Sequence, residues 1–354
     1  MSQQDSDYSV LEHILKANNR PRPGDSKEPT QWPSEGTAII LSNGKEKVVG
    51  QCRRQAFFRL AKDSYKFDPE KFHRFKDLVT LLEAEQIPPS SYMRFIWAMG
   101  ELYEQYIIDQ AKNSGIFAYT QVPVYIRSHN VSGKEDLVTI DPETGLLCIS
   151  EMKSVYSYGA DGVIGTDAER RKGQLGTPRD KNLIQIALYH WWVASADEGY
   201  GNSRLIYGDR GTGKYGEYAI RTEEDTDGII SIWYKGVAPN RTEWTRSPIT
   251  INSVLEQYAI IAEHVLSGVI PARDFKLQYD RTDFEDPEIF GDLNKTDRTQ
   301  IEKIKERELE NEERLSAGDK PKVELKLPTK GDYQCGYCPW RTVCYSSDGT
   351  PKEL

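Results

Sequence analysis

Cys52 stands alone near the start of the chain, while Cys335, Cys338 and Cys344 stand together near its end as C-x2-C-x5-C. Four thiolates are the ligand set of a tetrahedral zinc site or an iron–sulfur cluster. If all four meet at one centre, the fold must bring its end back to its beginning. The long stretch between them is then a closed domain, stapled at its termini, with any chemistry in its middle. The fifth cysteine, Cys148, lies in the apolar run Leu146-Leu147-Cys148-Ile149 and reads as a buried core thiol. An odd cysteine count without a regular disulfide framework favours a reducing compartment and metal ligation, hence a cytoplasmic protein.

The 354 residues suffice for one large domain or two ordinary ones. Hydrophobic residues make up 38% and charged residues 29%, so a sizeable core is expected. The N-terminal MSQQDSDYSV is polar, without an apolar signal region, and no apolar run approaches the roughly 20 residues of a membrane helix. The formal net charge of −9 runs against a polyanionic partner overall, but binding depends on where the basic residues cluster.

Residues 1–35, rich in Pro, Gly and Ser, read as a flexible tail, 36–345 as one domain, and 346–354 as a second tail. Thr37 to Val49 alternates around Asn43-Gly44, a hairpin signal. A helix is expected from Arg53 to Tyr65. A longer one follows Pro88-Pro89-Ser90-Ser91 to about Gln110, with Phe95, Met99, Leu102 and Tyr106 as its apolar face. Phe117–Arg127, Asp136–Asp141 and Leu146–Val155 read as strands, with turns at Ser132-Gly133 and Pro142–Gly145. A helix from about Asn182 to Ala194, three further strands (Arg204–Gly208, Glu217–Arg221, Ile229–Tyr234) and a helix over Ile249–Leu266 complete an α/β pattern. Residues 290–330 form a densely charged helical insertion. Gly208-Asp-Arg-Gly-Thr-Gly-Lys214-Tyr215 nearly matches a P-loop. It has Tyr215 where Ser or Thr is needed, and a strand follows, so it reads as a glycine-rich hairpin.

The chemistry concentrates in Asp136, Glu151 and Lys153. Side chains alternate along a strand, so Glu151 and Lys153 share a face, and Asp136 lies on the preceding strand. Two carboxylates on adjacent strands can hold Mg²⁺ or Mn²⁺, and a lysine beside them can orient or deprotonate a water. Any charged hairpin can show D-x14-E-x-K, so the motif alone is weak. Gln185 and Tyr189 are one helical turn apart and share a face, which an ordinary amphipathic helix with Ile184, Leu188 and Trp192 as core would also show.

Taken in order, Cys52, Gly100 with Glu104, Gly133 with Asp136, Glu151 with Lys153, Gln185 with Tyr189, and the closing Cys335, Cys338 and Cys344 resemble the RecB-type nucleases of the PD-(D/E)XK superfamily. The likeness is to those carrying a four-cysteine iron–sulfur cluster, such as CRISPR-associated RecB-like exonucleases and AddB-type recombination nucleases. The resemblance implies a restriction-endonuclease-like mixed sheet flanked by helices, with its terminal segments joined by a [4Fe–4S] cluster. It implies a Mg²⁺- or Mn²⁺-dependent deoxyribonuclease, acting as an exonuclease on single-stranded ends, with helicase or recombination and adaptation proteins as partners. Glu104, Asp136 and Glu151 would hold the metal. Gln185, Tyr189 and the basic residues Arg170, Arg171, Lys172 and Lys181 would contact DNA. Many relatives carry histidine where this chain has Glu104, and Glu101, one turn away, is a rival ligand. Zinc remains the alternative at the cysteines. A non-catalytic DNA-binding or assembly subunit, or a zinc-stabilised endonuclease, remains the alternative function. Cleavage polarity and oligomeric state are left open.

Overall fold

The computed structural model describes residues 28–156, 158–193, 197–237, 243–293, 295–328, 331–346 and 352–353. The expected N-terminal tail is split by this boundary: residues 1–27, like Ala194 at the end of an expected helix, lie outside it. Residues 28–35 depart from a flexible tail because they carry apolar and hydrogen-bonding anchors. Gln31 bridges Val131, its Nε2 donates to the Tyr258 carbonyl at 2.9 Å, Pro33 is buried, and the Arg59 guanidinium lies 4.2 Å from the Trp32 ring centre.

The Asn43-Gly44 hairpin forms as its sequence dictates, with both turn residues at positive φ joining β1 (Thr37–Ser42) to β2 (Lys45–Gly50). Helices α1 (Arg53–Phe67), α2 (Lys76–Ala84) and α3 (Ser91–Asn113) follow. The Ser90 hydroxyl caps α3 by accepting from Met93 N at 3.1 Å, as the Pro-Pro-Ser-Ser signal anticipates. Strands β3 (Phe117–Ile126), β4 (Val131–Ile140) and β5 (Leu147–Val155) come next. Helices α4 (Tyr158–Ile164), α5 (Asp167–Arg171) and α6 (Asp180–Val193) then lead to β6 (Ser203–Asp209), β7 (Tyr215–Glu224), β8 (Ile230–Gly236) and β9 (Thr245–Thr250).

The protein is α/β: β3 to β9 form a seven-stranded mixed sheet in sequential order, flanked by helices. Every pairing is antiparallel except β5 with β6. The α4–α6 segment makes that one parallel pairing geometrically available, since parallel neighbours need a long crossover. Helix α6 is buried over Leu183–His190 because it is covered on both sides, by β5–β7 and by β2 with α7 (Ile251–Ser267). On the opposite sheet face, Ile108 and Ala111 of α3 pack on Leu137 and Met152. The P-loop look-alike is the β6–β7 hairpin, with Gly208 opposite Tyr215.

Two local expectations change. The turn before β4 falls at Arg127–Asn130, with Asn130 at φ 50°, and Ser132-Gly133 lies inside the strand. Gly133 serves close packing instead: a Cβ there would stand 2.6 Å from Tyr189 Oη and 2.9 Å from the Pro33 ring. The stripe expected to bury α3 does not: Phe95, Leu102 and Tyr106 are 61%, 63% and 59% exposed.

A second core joins α1, α2 and α7 to Trp340, Val343 and Cys344 of the C-terminal segment, which contains α10 (Tyr333–Tyr337) and α11 (Arg341–Tyr345). The two ends of the domain are therefore in contact. The intervening charged insertion contains α8 (Pro287–Asp292) and the long α9 (Lys295–Ser316), which buries only Ile301 and Ile304. Val269–Ile270 (β10) pairs with Lys352–Glu353 (β11), within the expected C-terminal tail. No helix among the described residues is long and apolar enough to cross a membrane.

Candidate functional site

The β4–β5 ladder runs from Ile140↔Leu147 to Leu137↔Ser150 and stops. At the next position the Asp136 carboxylate takes over, its Oδ2 accepting from Met152 N at 3.0 Å. The strands part there, and the candidate residues occupy the opening. Met152 packs toward α3, so its neighbours Glu151 and Lys153 point to the other face, toward α6.

Glu151 is 1% exposed. One oxygen accepts from Lys153 Nζ, and the other, Oε2, is buried without a hydrogen-bond partner. Burial, with Asp136 adding to it against the pull of Lys153, brings the Glu151 carboxyl up to about 8. Burial works against the Lys153 ammonium, but Glu151 and Asp136 outweigh it and leave its pKa above the ordinary lysine value.

Glu104 reaches the same opening from α3. Its pKa is raised by burial first and by Asp136 next, which places it in the field of the other carboxylates. Its Oε1 accepts from Gln121 Nε2 at 3.0 Å. The rival Glu101 is exposed on the same helix.

Gln121 is the residue that sequence reasoning missed. Thr120 and Val122 pair with Leu137 and Glu135, so Gln121 stands opposite Asp136. Its φ of 54° is left-handed, rare for a non-glycine residue inside a strand and typical of backbone held under strain at a site. Glutamine carries no signal for such a conformation, so only the structure reveals it.

The residues expected to contact DNA divide. Tyr189 is 2% exposed, and its hydroxyl donates to the Lys134 carbonyl at 3.0 Å. Gln185 is 8% exposed and hydrogen-bonds Tyr189. As they stand, both brace β4 from a helix covered on two sides, and Tyr189 offers no open face for a base to stack on. Arg170 donates to the Tyr215 carbonyl at 2.8 Å, tying α5 to the β7 edge, while Arg171 and Lys172 are exposed. Lys181 alone is drawn inward: its Nζ donates to Gln51 Oε1 at 2.9 Å, and burial and Lys153 lower its pKa against the pull of Glu35.

The four cysteines of the one-plus-three pattern line one pocket, together with Arg54, Arg273 and Arg341. Arg54 is buried, donates to the Pro271 carbonyl at 2.6 Å, and places Nη1 3.9 Å from Cys344 Sγ. Tyr345 Oη lies 3.3 Å from Cys335 Sγ. Burial, Asp274 and Cys344 push the Cys52 thiol up to about 12, and burial, Cys344 and Cys335 push Cys338 up to about 11. Cys148 lies apart, a buried thiol on β5, as expected. Trp340 packs edge-on against Phe58 beside the pocket.

As the side chains stand, no group of three or more His, Cys, Asp or Glu among the described residues is placed to hold a metal ion. In the carboxylate site, each of the three carboxylates already accepts a hydrogen bond, from Lys153, Met152 or Gln121. No family model, no curated protein and no solved structure matches this chain.

Proposed function

We propose that this chain is a divalent-metal-dependent deoxyribonuclease of the restriction-endonuclease-like type, acting on DNA with free ends. The observation that carries the reading is the buried, unpartnered Glu151 Oε2, in an opening shared with Asp136, Glu104 and Lys153. A buried carboxylate oxygen without a donor is costly, and a cation supplies what it lacks. Hard oxygen donors fit Mg²⁺ or Mn²⁺. Such an ion would polarise the phosphodiester and acidify a bound water. Asp136 and Glu151 would be its strand-borne ligands and Glu104 its helix-borne one. Lys153 is held beside the opening, where it can orient the water and offset phosphate charge.

The helix, three antiparallel strands, crossover helix and parallel strand seen over α3–β6 support the fold assignment. The gathering of four thiols and three arginines in one pocket supports a [4Fe–4S] cluster held by Cys52, Cys335, Cys338 and Cys344. The arginines offset thiolate charge that burial otherwise opposes.

The test is hydrolysis of linear, circular, single-stranded and double-stranded DNA with Mg²⁺ or Mn²⁺. Glu151→Ala and Lys153→Ala are each expected to lose on the order of 10²-fold or more in rate with the fold intact. Full activity in both variants would remove the assignment. Efficient cutting of a closed circle would replace the exonuclease by an endonuclease.

A further inference from the structure

Helix α3 packs on the sheet through Tyr103, Ile107, Ile108 and Ala111, and carries a further apolar sector beside that face which the sheet does not cover. Ile108 and Ala111 face the sheet, and Glu104 faces the carboxylate site. Tyr92, Phe95, Met99, Leu102 and Tyr106 recur with alternating three- and four-residue spacing and form a single stripe. At about 100° per residue, the stripe is centred roughly 160° around the helix from Glu104. Tyr92, Phe95, Leu102 and Tyr106 are 60%, 61%, 63% and 59% exposed. An apolar sector of this width on a helix is normally covered.

We infer that this stripe is a homodimer interface, in which α3 packs antiparallel against α3 of a second copy about a two-fold axis at Met99. Tyr92 and Tyr106 lie equally far to either side of Met99 in sequence, and Phe95 and Leu102 lie at nearly equal offsets inside them. In that arrangement Tyr92 meets the partner's Tyr106, and Phe95 packs beside the partner's Leu102. This is the self-complementarity that an isologous interface requires. The spacing of the stripe is that of helices packed along a narrow seam.

Area supports the same occupant. The four exposed side chains present about 500 Å² of apolar surface, at the upper end of what a monomer leaves bare. That is most of the roughly 800 Å² per copy that a stable interface buries. Charge argues against a nucleic acid on this face: between residues 91 and 111 the only cation is Arg94, against Glu101, Glu104 and Asp109. Because the stripe lies opposite Glu104, dimerisation leaves both carboxylate sites open.

The test is sedimentation velocity of the full chain over a concentration series, beside Phe95→Glu and Leu102→Glu. Both side chains are exposed on the single chain, so both variants are expected to keep the wild-type fold by circular dichroism. A dimer is expected at micromolar concentration, weakened at least 100-fold by either variant. Met99→Cys is expected to form an oxidised dimer whose cross-link maps to residue 99 of both copies. A monomer up to ~100 µM, a dimer untouched by both variants, or a Met99→Cys protein that does not cross-link would each overturn the inference. So would a stripe variant that keeps its association state but loses binding to single-stranded DNA.

Discussion

If the proposed metal site holds, the sharpest consequence of the Glu151 environment is that a bound divalent ion displaces a proton. A carboxyl at about 8 is roughly ten parts protonated to one part ionised at pH 7. Only the ionised form accepts a divalent cation. Apparent affinity at pH 7 should therefore be about tenfold below its alkaline limit, rising about tenfold per pH unit below 8 and levelling above it. Lys153, held above the ordinary lysine value, stays charged across this range and adds no step. The Glu151 carboxyl also sets a sign for stability without metal. Its folded pKa lies above the ordinary 4.5, so its contribution is complete below that value and lost as pH rises through about 8. The difference between 4.5 and about 8 corresponds to on the order of 5 kcal/mol. Isothermal titration with Mn²⁺ from pH 6 to 9, in buffers of different ionisation enthalpy, should show close to one proton released per ion at pH 7. Glu151→Gln should abolish most of that release and melt higher than wild type at pH 9 without metal. Affinity independent of pH, or unchanged proton release in Glu151→Gln, would refute the reasoning.

Glu104→Gln should weaken the Mn²⁺ response of nuclease activity while Glu101→Gln leaves it near wild type; the reverse, in a metal titration, would move the helix ligand to Glu101. Gly133→Ala should destabilise the fold by about 1–3 kcal/mol in urea, because its Cβ meets Tyr189 Oη at 2.6 Å and the Pro33 ring at 2.9 Å. Adding Tyr189→Phe should recover part of that loss but not all of it, since the Pro33 contact remains. Anaerobically purified protein should contain iron and labile sulfide, Cys52→Ser, Cys335→Ser, Cys338→Ser and Cys344→Ser should each be colourless and poorly soluble, and Cys148→Ser should keep its colour; one zinc and no sulfide would leave the four-cysteine staple without a cluster.

What could be read from the chain was whatever depends on short-range periodicity or on residue type at fixed order. The Asn43-Gly44 hairpin, the capped α3, the β5 strand with Glu151 and Lys153, and the α/β alternation all carry local signals. The gathering of Cys52 with the distant trio was legible only because four thiolates have few other uses. Local pattern failed where distant packing decided the outcome. Ser132-Gly133 looks like a turn, yet Tyr189 and Pro33 press on it and it stays in β4. Gln185 and Tyr189 form a turn-spaced polar pair, but the second cover on α6 comes from β2 and α7, remote in sequence, and buries them. The α3 stripe has the periodicity of a core face, and periodicity cannot say whether the surface that covers it belongs to the same chain.

The cysteine lobe and the carboxylate site are connected by more than shared membership of one domain. Gln51 is the residue before Cys52, and its side chain accepts from Lys181 Nζ at 2.9 Å. Lys181 in turn lies within the electrostatic field of Lys153. The Gln51 carbonyl accepts from Thr37 Oγ1 at 2.6 Å, fixing the backbone that presents both Gln51 and Cys52. Arg53 holds the following position to Asp274 with bonds of 2.7 and 2.8 Å, on the segment that leads to the C-terminal trio. Under the proposed function, this hydrogen-bonded path from the cysteine pocket through Gln51 and Lys181 toward Lys153 is the physical connection by which anchoring the two ends of the chain would bear on the opening between β4 and β5.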